Sequence, residues 1–473
     1  LTKDNEKHPQ GNMMALEDLP DWFDRHHVDI IRTHATTLDG QGAGKYIHRN
    51  KFYQSLPKGH AIADSAIAID IAGSPHITHW HDQRVENFGD ILMKPDIDTL
   101  ISDGSNPALG HCIADFTTAT GEELRLCPRT QLKRMIRLLS ERGYCMKAAF
   151  ELEFYLFDES FEDVKRKQYQ QLRTIGASDK PNMYLLRNAY HAAPFMTEVI
   201  KRLEWKGIGW EAWNDEAGVG QIELNIDAGD PLSLCDNVVR AKQVLYEVAL
   251  DMDMAVTFMA APSSFFGSGM HAHHSLTTHE GTPVFYDSEQ PGNRSDLMNR
   301  WLAGQVVNLA AYVSFLSPTI NSYRRFRDYS AVPLTTTWSM DNRSTALRLI
   351  TSSQSAARIE NRIGAADLNP YLALATTIAG GIAGLDNDLD LPAETTKLAW
   401  GTGADIEKLP TTITTAIEAL EKNRHLSAYL GDDFTQYWAN TRRAEWLAFH
   451  REGGDPESKS VTAWEFERYF CLV

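Results

Sequence analysis

The chain has 473 residues, 43% of them hydrophobic and 23% charged, the balance of a folded protein with room for a large core and more than one domain. Its formal net charge of −17 leaves no basic surface for nucleic acid, and no uninterrupted apolar run is long enough to span a bilayer, so neither nucleic acid nor a membrane is an expected partner. The five cysteines, Cys112, Cys127, Cys145, Cys235 and Cys471, have no metal spacing and no C-x-x-C pair; they read as reduced thiols, and without a signal peptide the expected compartment is the cytoplasm.

In chain order, residues 1–20 are expected to form a flexible arm, polar to about Gly11, and the initial Leu1 reads as a processed or trimmed terminus. From about residue 22 to 126 short strands alternate with turn residues, including 61–71 and 89–95, which predicts a small β-rich domain over 21–125. Within it, His76-Ile77-Thr78-His79-Trp80-His81-Asp82 carries three imidazoles but reads as a polar loop rather than a zinc site, with Trp80 a candidate wall of a site shared between subunits. Pro128 then opens a helix, with Leu132, Met135, Ile136 and Leu139 at helical spacing and Gly143 as the stop. Residues 126–473 are assigned to a second domain, with helical patterns at about 232–252, 296–317 and 369–384 and a helical tail from about Pro410. Gly380, Gly381 and Gly384 lie in an apolar helix with no strand before it, so they mark close packing and not a dinucleotide loop; no phosphate-binding Gly-x-x-x-x-Gly-Lys-Ser/Thr loop occurs either.

Four stretches of the second domain alternate apolar and polar residues. In Phe150-Glu151-Leu152-Glu153-Phe154 the strand period of two puts Glu151 and Glu153 on one face and three apolar side chains on the other. Gln221-Ile222-Glu223-Leu224-Asn225-Ile226 repeats the arrangement. His271 and His273 share a face in Gly269-Met270-His271-Ala272-His273-His274-Ser275-Leu276, with His274 on the core side, and Arg358, Glu360 and Arg362 share one in Arg358-Ile359-Glu360-Asn361-Arg362-Ile363. Carboxylates gathered this way repel and take up protons unless positive charge sits among them, and divalent metal is the economical source. Oxygen donors with an imidazole suit Mg²⁺ or Mn²⁺ better than zinc. The arginines in turn call for phosphates or substrate carboxylates, whose geometry the guanidinium fork matches.

Taken together these motifs resemble the glutamine synthetase family. Phe150-Glu151-Leu152-Glu153-Phe154 is similar to its Glu-Pro-Glu strand, Gly220-Gln221-Ile222-Glu223 to its Gly-Gln-x-Glu, and Gly267-Ser268-Gly269-Met270-His271-Ala272-His273 to its Gly-Ser-Gly-Met-His-x-His. Asn321-Ser322-Tyr323-Arg324-Arg325, Asn342-Arg343-Ser344 and Arg358-Ile359-Glu360-Asn361-Arg362 followed by Asn369-Pro370-Tyr371 complete the series in the family's order. The resemblance implies an α+β fold, a small β-grasp-like N-terminal domain followed by a catalytic domain whose curved antiparallel sheet is backed by helices. It implies that Glu153, Glu216 and Glu223 hold one metal ion and Glu151, His271 and Glu360 a second. It also implies that Arg343, Arg348 and Arg358 neutralise ATP phosphates, that Ser275 contacts the nucleotide, and that Gly267, His271, Arg325 and Arg362 bind glutamate, with Arg325, Arg343 and Arg362 assisting phosphoryl transfer. The implied assembly is a homo-oligomer of six-membered rings, usually paired as a dodecamer, with active sites between subunits.

The activity so implied is ATP-dependent ligation of the glutamate γ-carboxylate to an amine through γ-glutamyl phosphate. Two departures and a third difference bear on which amine. Six residues after the arginine of Asn-Ser-Tyr-x-Arg, ammonia-using members carry a glutamate; here that place is Ala331. The N-terminal Asp-x-x-Gly reads Thr37-Leu38-Asp39-Gly40, and Phe266 stands where glutamine synthetases often have Asn. Losing two carboxylates removes the attraction for a small cation, and Phe266 makes the neighbourhood apolar, so Thr37, Ala331 and Phe266 define an expected pocket for a neutral aromatic amine such as aniline, giving γ-glutamylanilide. Asp39 and Asp328 are the alternative sources of the lost charge. Ligation of alkylamines or polyamines such as isopropylamine or putrescine is the alternative within the enzyme class, and a non-catalytic binding or scaffold protein the alternative outside it.

Overall fold

The computed structural model describes residues 15–76, 89–177, 180–263, 266–328, 330–400, 406–455, 458 and 460–473. Its first sheet has five strands, β1 (Ile30–Thr36), β2 (Gly42–His48), β3 (His60–Ala63), β4 (Asp90–Ser102) and β5 (Leu109–Thr117), in the order β2-β1-β5-β4-β3. The pairing is mixed, since β1 runs parallel to β5 and the other neighbours are antiparallel. Two helices, Leu19–Arg25 and Arg49–Ser55, close a small core in which Leu19, Trp22, Phe23 and Phe52 meet Ile31 and Ile47.

Two local expectations change here. The chain is already helical before residue 21, because Pro20 sits in the first turn and Leu19, Trp22 and Phe23 bury one apolar stripe. The strand expected over 61–71 stops at Ala63, where Asp64–Ile67 turns into a single 3₁₀ helix. Of the imidazole-rich loop, His76 is buried, while His79, Trp80 and His81 lie outside the described residues.

The second sheet comprises β6 (Tyr144–Phe157), β7 (Trp210–Asp215), β8 (Gln221–Gly229), β9 (Ala255–Thr257), β10 (Met270–Thr278), β11 (Trp338–Met340), β12 (Leu347–Ile350) and β13 (Arg358–Asn361). Its order is β11-β12-β13-β10-β6-β8-β7, with β9 added alongside the end of β6. All pairs are antiparallel except β11 with β12, which is parallel. Phe150, Leu152 and Phe154 are fully buried, and the helix Pro231–Asp251 packs on β6 and β8 while Pro128–Ser140 packs on β6. Behind them Asp296–Leu316 lies against Pro370–Asp386; a Cβ on Gly304 would come 2.1 Å from the Gly380 carbonyl oxygen, so the glycines permit this approach. His274 accepts from Trp301 Nε1 at 2.9 Å in the same core. The five thiols are unpaired, and no helix of the described residues is long and apolar enough to cross a membrane.

The sequence reading missed the helix Leu186–Trp205. It opens without a side-chain cap and carries Pro194 internally, which removes a backbone donor, so only its stripe of Phe195, Met196, Val199 and Leu203 betrays it.

A buried arginine ties the first sheet to the helices that pack on the second. Arg129, 1% exposed, donates through Nε and Nη2 to the two oxygens of Asp236 at 2.9 Å, and reaches Asp115 at 3.1 Å on β5 and Asp96 at 2.9 Å on β4. Tyr371 donates to the same Asp236 at 2.6 Å. Burial disfavours the cation, but the carboxylates of Asp236 and Asp115 outweigh it. Arg129→Ala leaves buried Asp236 without its cation, with Lys133 still beside Asp96 and Asp115, and is expected to reduce unfolding stability by about 3–5 kcal/mol. Urea unfolding checks this, and an unchanged midpoint would mean the joint contributes nothing.

Candidate active site

The four strands singled out by their alternation lie side by side in the order β13, β10, β6, β8. Registers bring the polar faces into direct opposition: His271 faces Glu151, His273 faces Glu360, Glu153 faces Glu223, and Arg348 on β12 faces Glu360 from the other side. Residues directly opposite in an antiparallel pair have Cβ atoms roughly 5 Å apart, so the strand period alone builds a stack of charges on one surface.

At one end of that stack, Glu151, His271 and Glu360 each offer a ligand atom, and these atoms lie within 4.8 Å of one another. Glu151 accepts from His271 Nδ1 and from His273 Nε2, both at 3.0 Å. Burial alone would raise its carboxyl, but these two hydrogen bonds hold it far below the ordinary carboxylate range. Glu360 is 1% exposed and similarly held down against burial by Arg362 and the two imidazoles. Arg348 Nη1 donates to it at 2.9 Å and Arg362 Nη1 bonds its other oxygen.

The other end is anionic without such compensation. Glu153 accepts from Gln221 Nε2 and from the Gly269 amide, each at 2.7 Å. Glu216, held by the Ala217 amide at 3.0 Å, is pushed up to about 7 by burial and by the charge of Glu153. Glu223 is pushed up to about 9 by burial and by Glu151, Glu153 and Glu216. Carboxyls raised by burial and by one another's charge mark a place where a cation is wanted. This oxygen-rich set fits a hard divalent ion: Glu151, His271 and Glu360 bring ligand atoms together, while Glu153, Glu216 and Glu223 are coupled to one another by charge.

Ser275 continues the face of His271 and His273 along β10. Arg358 approaches His273 Nδ1 at 3.3 Å and donates to the Ala356 carbonyl. Arg343 is exposed, in the turn between β11 and β12, and its carbonyl accepts from Arg362 Nε at 3.0 Å. Arg325 is placed differently from its neighbours. Its Nη1 and Nη2 donate to the Ile363 and Gly364 carbonyls at 2.9 Å, and burial lowers it to about 10. Its Nε has no partner among the described residues, and a Cβ on Gly267 would come 2.4 Å from Arg325 Cγ, so Gly267 gives this side chain its room.

Residues 125–469 match the profile of the glutamine synthetase catalytic domain. The chain belongs to the glutamine synthetase family. It is an ATP-dependent glutamate–amine ligase. A glutamate–isopropylamine ligase of Pseudomonas sp is 30% identical over 472 residues, 98% of this chain and 100% of its own. A γ-glutamylanilide synthase of Acinetobacter sp is 30% identical over 398 residues, covering 81% of this chain and 79% of its own. Among solved structures, a GmaS complex with ADP superimposes with a TM-score of 0.81 at 23% identity, covering 95% of this chain and 98% of that one, which shows the shared fold.

Within one chain of this synthetase fold, the three residues expected to form an amine pocket are spread apart. Thr37 lines a cavity beside the first sheet, Phe266 lines a different one next to the second, and exposed Ala331 lines neither. Asp39 is committed elsewhere: buried Arg442 donates to it at 2.6 Å, and that guanidinium also stacks on Trp438. Asp328 is exposed.

Tyr184 is a residue that sequence reasoning missed. It is 66% exposed with φ of 59°, its amide donates to the Asp215 carbonyl, and burial plus the charges of Glu216 and Glu223 raise its phenol while Arg343 opposes them. A bulky residue held in the left-handed region beside the carboxylates is a candidate lip of the cleft. No periodic pattern surrounds it, so nothing in the sequence flagged it.

Proposed function

We propose that the chain joins the γ-carboxylate of glutamate to a neutral, weakly basic amine, with an aromatic amine such as aniline first. The observation that supports this best is the loss of two acids where the amine is expected: Thr37 and Ala331 stand in their places, and Asp39 is held by Arg442. An alkylammonium must surrender a proton before it can attack, so it needs an acidic or basic partner; aniline is already neutral and needs an apolar surface. Phe266 and Tyr184 supply aromatic surface near the cleft. A second reading, an alkylamine such as isopropylamine, is supported by the full-length match to an isopropylamine ligase.

In this reading the γ-phosphoryl group passes from ATP to a carboxylate oxygen of glutamate, giving ADP and γ-glutamyl phosphate. The amine nitrogen then attacks the acyl carbon, phosphate leaves, and the nitrogen loses its proton. Mg²⁺ or Mn²⁺, held by the two carboxylate sets, would neutralise the anions that meet in the first step. Arg343, Arg348, Arg358 and Arg362 line the same face and add positive charge where phosphate oxygens gather. The six ligand positions and the arginine set support a catalyst over a binding protein.

Phosphate release from ATP with glutamate and aniline, isopropylamine, putrescine or ammonium tests the reading, with product mass checked each time. Turnover is expected to be greatest with aniline; greatest turnover with a cationic amine overturns it in favour of the second reading. Ala331→Glu is expected to lower kcat/KM for aniline about tenfold by bringing charge to the amine end. An unchanged amine preference removes Ala331 from the pocket.

The same reading makes the enzyme a cytoplasmic homo-oligomer of six-membered rings, with a dodecamer the expected form. Thr37 and Phe266 lining different cavities of one chain supports a site completed by a second copy. A monomeric fraction with full turnover in gel filtration would overturn this.

A further inference from the structure

Arg325 depends on two separate segments. Its backbone lies in the 3₁₀ turn Asn321–Arg325, while the carbonyls that take its Nη1 and Nη2 belong to Ile363 and Gly364, just after β13. Backbone bonds fix the second segment to its surroundings. The Gly364 carbonyl accepts from the Met270 amide at 3.0 Å, the Ala365 amide donates to the Leu316 carbonyl at 2.9 Å, and the Ala366 amide to the Ser268 carbonyl at 3.0 Å. Asp367, 3% exposed, follows in that segment and reaches back to the first. Its Oδ2 accepts from Thr319 Oγ1 at 2.6 Å and from Ser322 Oγ at 2.8 Å, and Ser322 stands in the turn three residues before Arg325. The two hydroxyls are 3.0 Å apart, and each accepts the other residue's amide at 3.1 Å. Asp367 Oδ1 has no hydrogen-bond partner among the described residues. Burial raises this carboxyl, against the two hydroxyls and the cations of Arg325 and Lys242, so the group is costly where it stands.

We propose that Asp367 is a positioning residue for the ligase reaction: its Oδ2 ties the turn that carries Arg325 to the carbonyls that orient its guanidinium, and so sets the place of the cation that grips glutamate. The inference rests on the reading of Arg325 as a glutamate-binding residue and holds for any amine substrate. A buried carboxylate adds little stability over apolar packing of the same volume, so its presence beside a cleft arginine points to placement. Two hydroxyls converging on one oxygen hold the turn itself, whereas the bonds of Arg325 hold only the end of its side chain. Without the tie the turn is free to shift against the segment, and a displacement of about 1 Å at a substrate-positioning group is enough to be felt in catalysis. Arg343, Arg348 and Arg358, the residues expected at the ATP phosphates, stand on the β11–β12 turn, on β12 and on β13, so ATP binding does not depend on this tie.

Phosphate-release kinetics of the whole Mn²⁺-loaded chain, with whichever of the four amines turns over fastest, test this. Asp367→Ala is expected to raise the KM for glutamate about tenfold or more and to leave that for ATP within about twofold. Asp367→Asn, which keeps an oxygen for both hydroxyls, is expected to bring the glutamate KM back to within about threefold of the unaltered value. If the alanine variant does not fold, Ser322→Ala, which removes one of the two donors, is read in its place, with an expected rise of about threefold or more. Arg325→Gln separates the inference from the reading beneath it. It is expected to raise the glutamate KM at least as much as Asp367→Ala, and adding Asp367→Ala to it is expected to raise it no further. An unmoved glutamate KM in Arg325→Gln overturns the glutamate role of Arg325 and the inference with it. Given a rise there, an unmoved glutamate KM in Asp367→Ala, equal rises for glutamate and ATP, no restoration by Asp367→Asn, or a further rise in the double variant overturns the inference alone.

Discussion

Replacing Glu151 by Gln is expected to lower ligase turnover about 1,000-fold and to raise the Mn²⁺ concentration for half-activation at least about tenfold. Glu151 has two oxygens, and each is engaged by a different imidazole of β10 while the residue also offers a ligand atom beside His271 and Glu360. An amide of the same shape keeps one acceptor but turns a donor toward the second imidazole, so the charge that balances two histidines and attracts a divalent ion is gone. Folding is not expected to suffer, because the change is isosteric and Phe150 and Leu152 on the opposite face of β6 carry the packing. Phosphate release gives the turnover, and paramagnetic resonance of free Mn²⁺ gives the affinity. Turnover within a few-fold of the unaltered protein would remove Glu151 from the ligand set.

The centre of this site was legible because a strand writes its two faces into the sequence with a period of two. Once Glu151 and Glu153 share a face opposite Phe150 and Leu152, burial of the apolar side fixes where the carboxylates point, and the same holds for Glu223, for His271 and His273, and for Glu360. What periodicity does not carry is which strands are neighbours. That β13, β10, β6 and β8 stand side by side follows from long-range pairing that only the resemblance to a family anticipated.

Loop residues were less legible for the same reason. Tyr184 feels the charge of Glu216 and Glu223 from a segment without alternation, and the alternation that put Gln221 on the polar face of its strand did not show which three groups its carboxamide bonds. Arg325 shows the converse. Its motif marked it as a substrate-binding cation, yet two of its nitrogens are spent on the Ile363 and Gly364 carbonyls, a backbone partnership that side-chain patterns do not encode. Asp39 could have replaced the charge lost at Thr37 on sequence grounds; the helix residue Arg442, some four hundred positions away, removes it from that role.

In chelator, thermal stability is expected to fall as pH rises from about 5.5 to 8.5, and added Mn²⁺ or Mg²⁺ is expected to abolish the fall. The sign follows from Glu216 and Glu223, whose carboxyls are raised in the folded chain to about 7 and about 9 from an ordinary 4.5. Between those limits the folded state holds protons that the unfolded state has released, so raising the pH through this window favours unfolding, by on the order of a few kcal/mol for the pair. Glu151 acts in the opposite sense: its carboxyl is depressed, so its contribution is intact across this window and is lost only in strong acid. A divalent ion replaces the retained protons with a charge that all the carboxylates can share, so the gap in Tm between ion-loaded and chelated protein should widen with pH. Scanning calorimetry across the window measures that gap, and Glu223→Gln should flatten the chelated curve by removing the group with the larger shift. Parallel curves for loaded and chelated protein would mean that these two carboxylates are not where the ion binds.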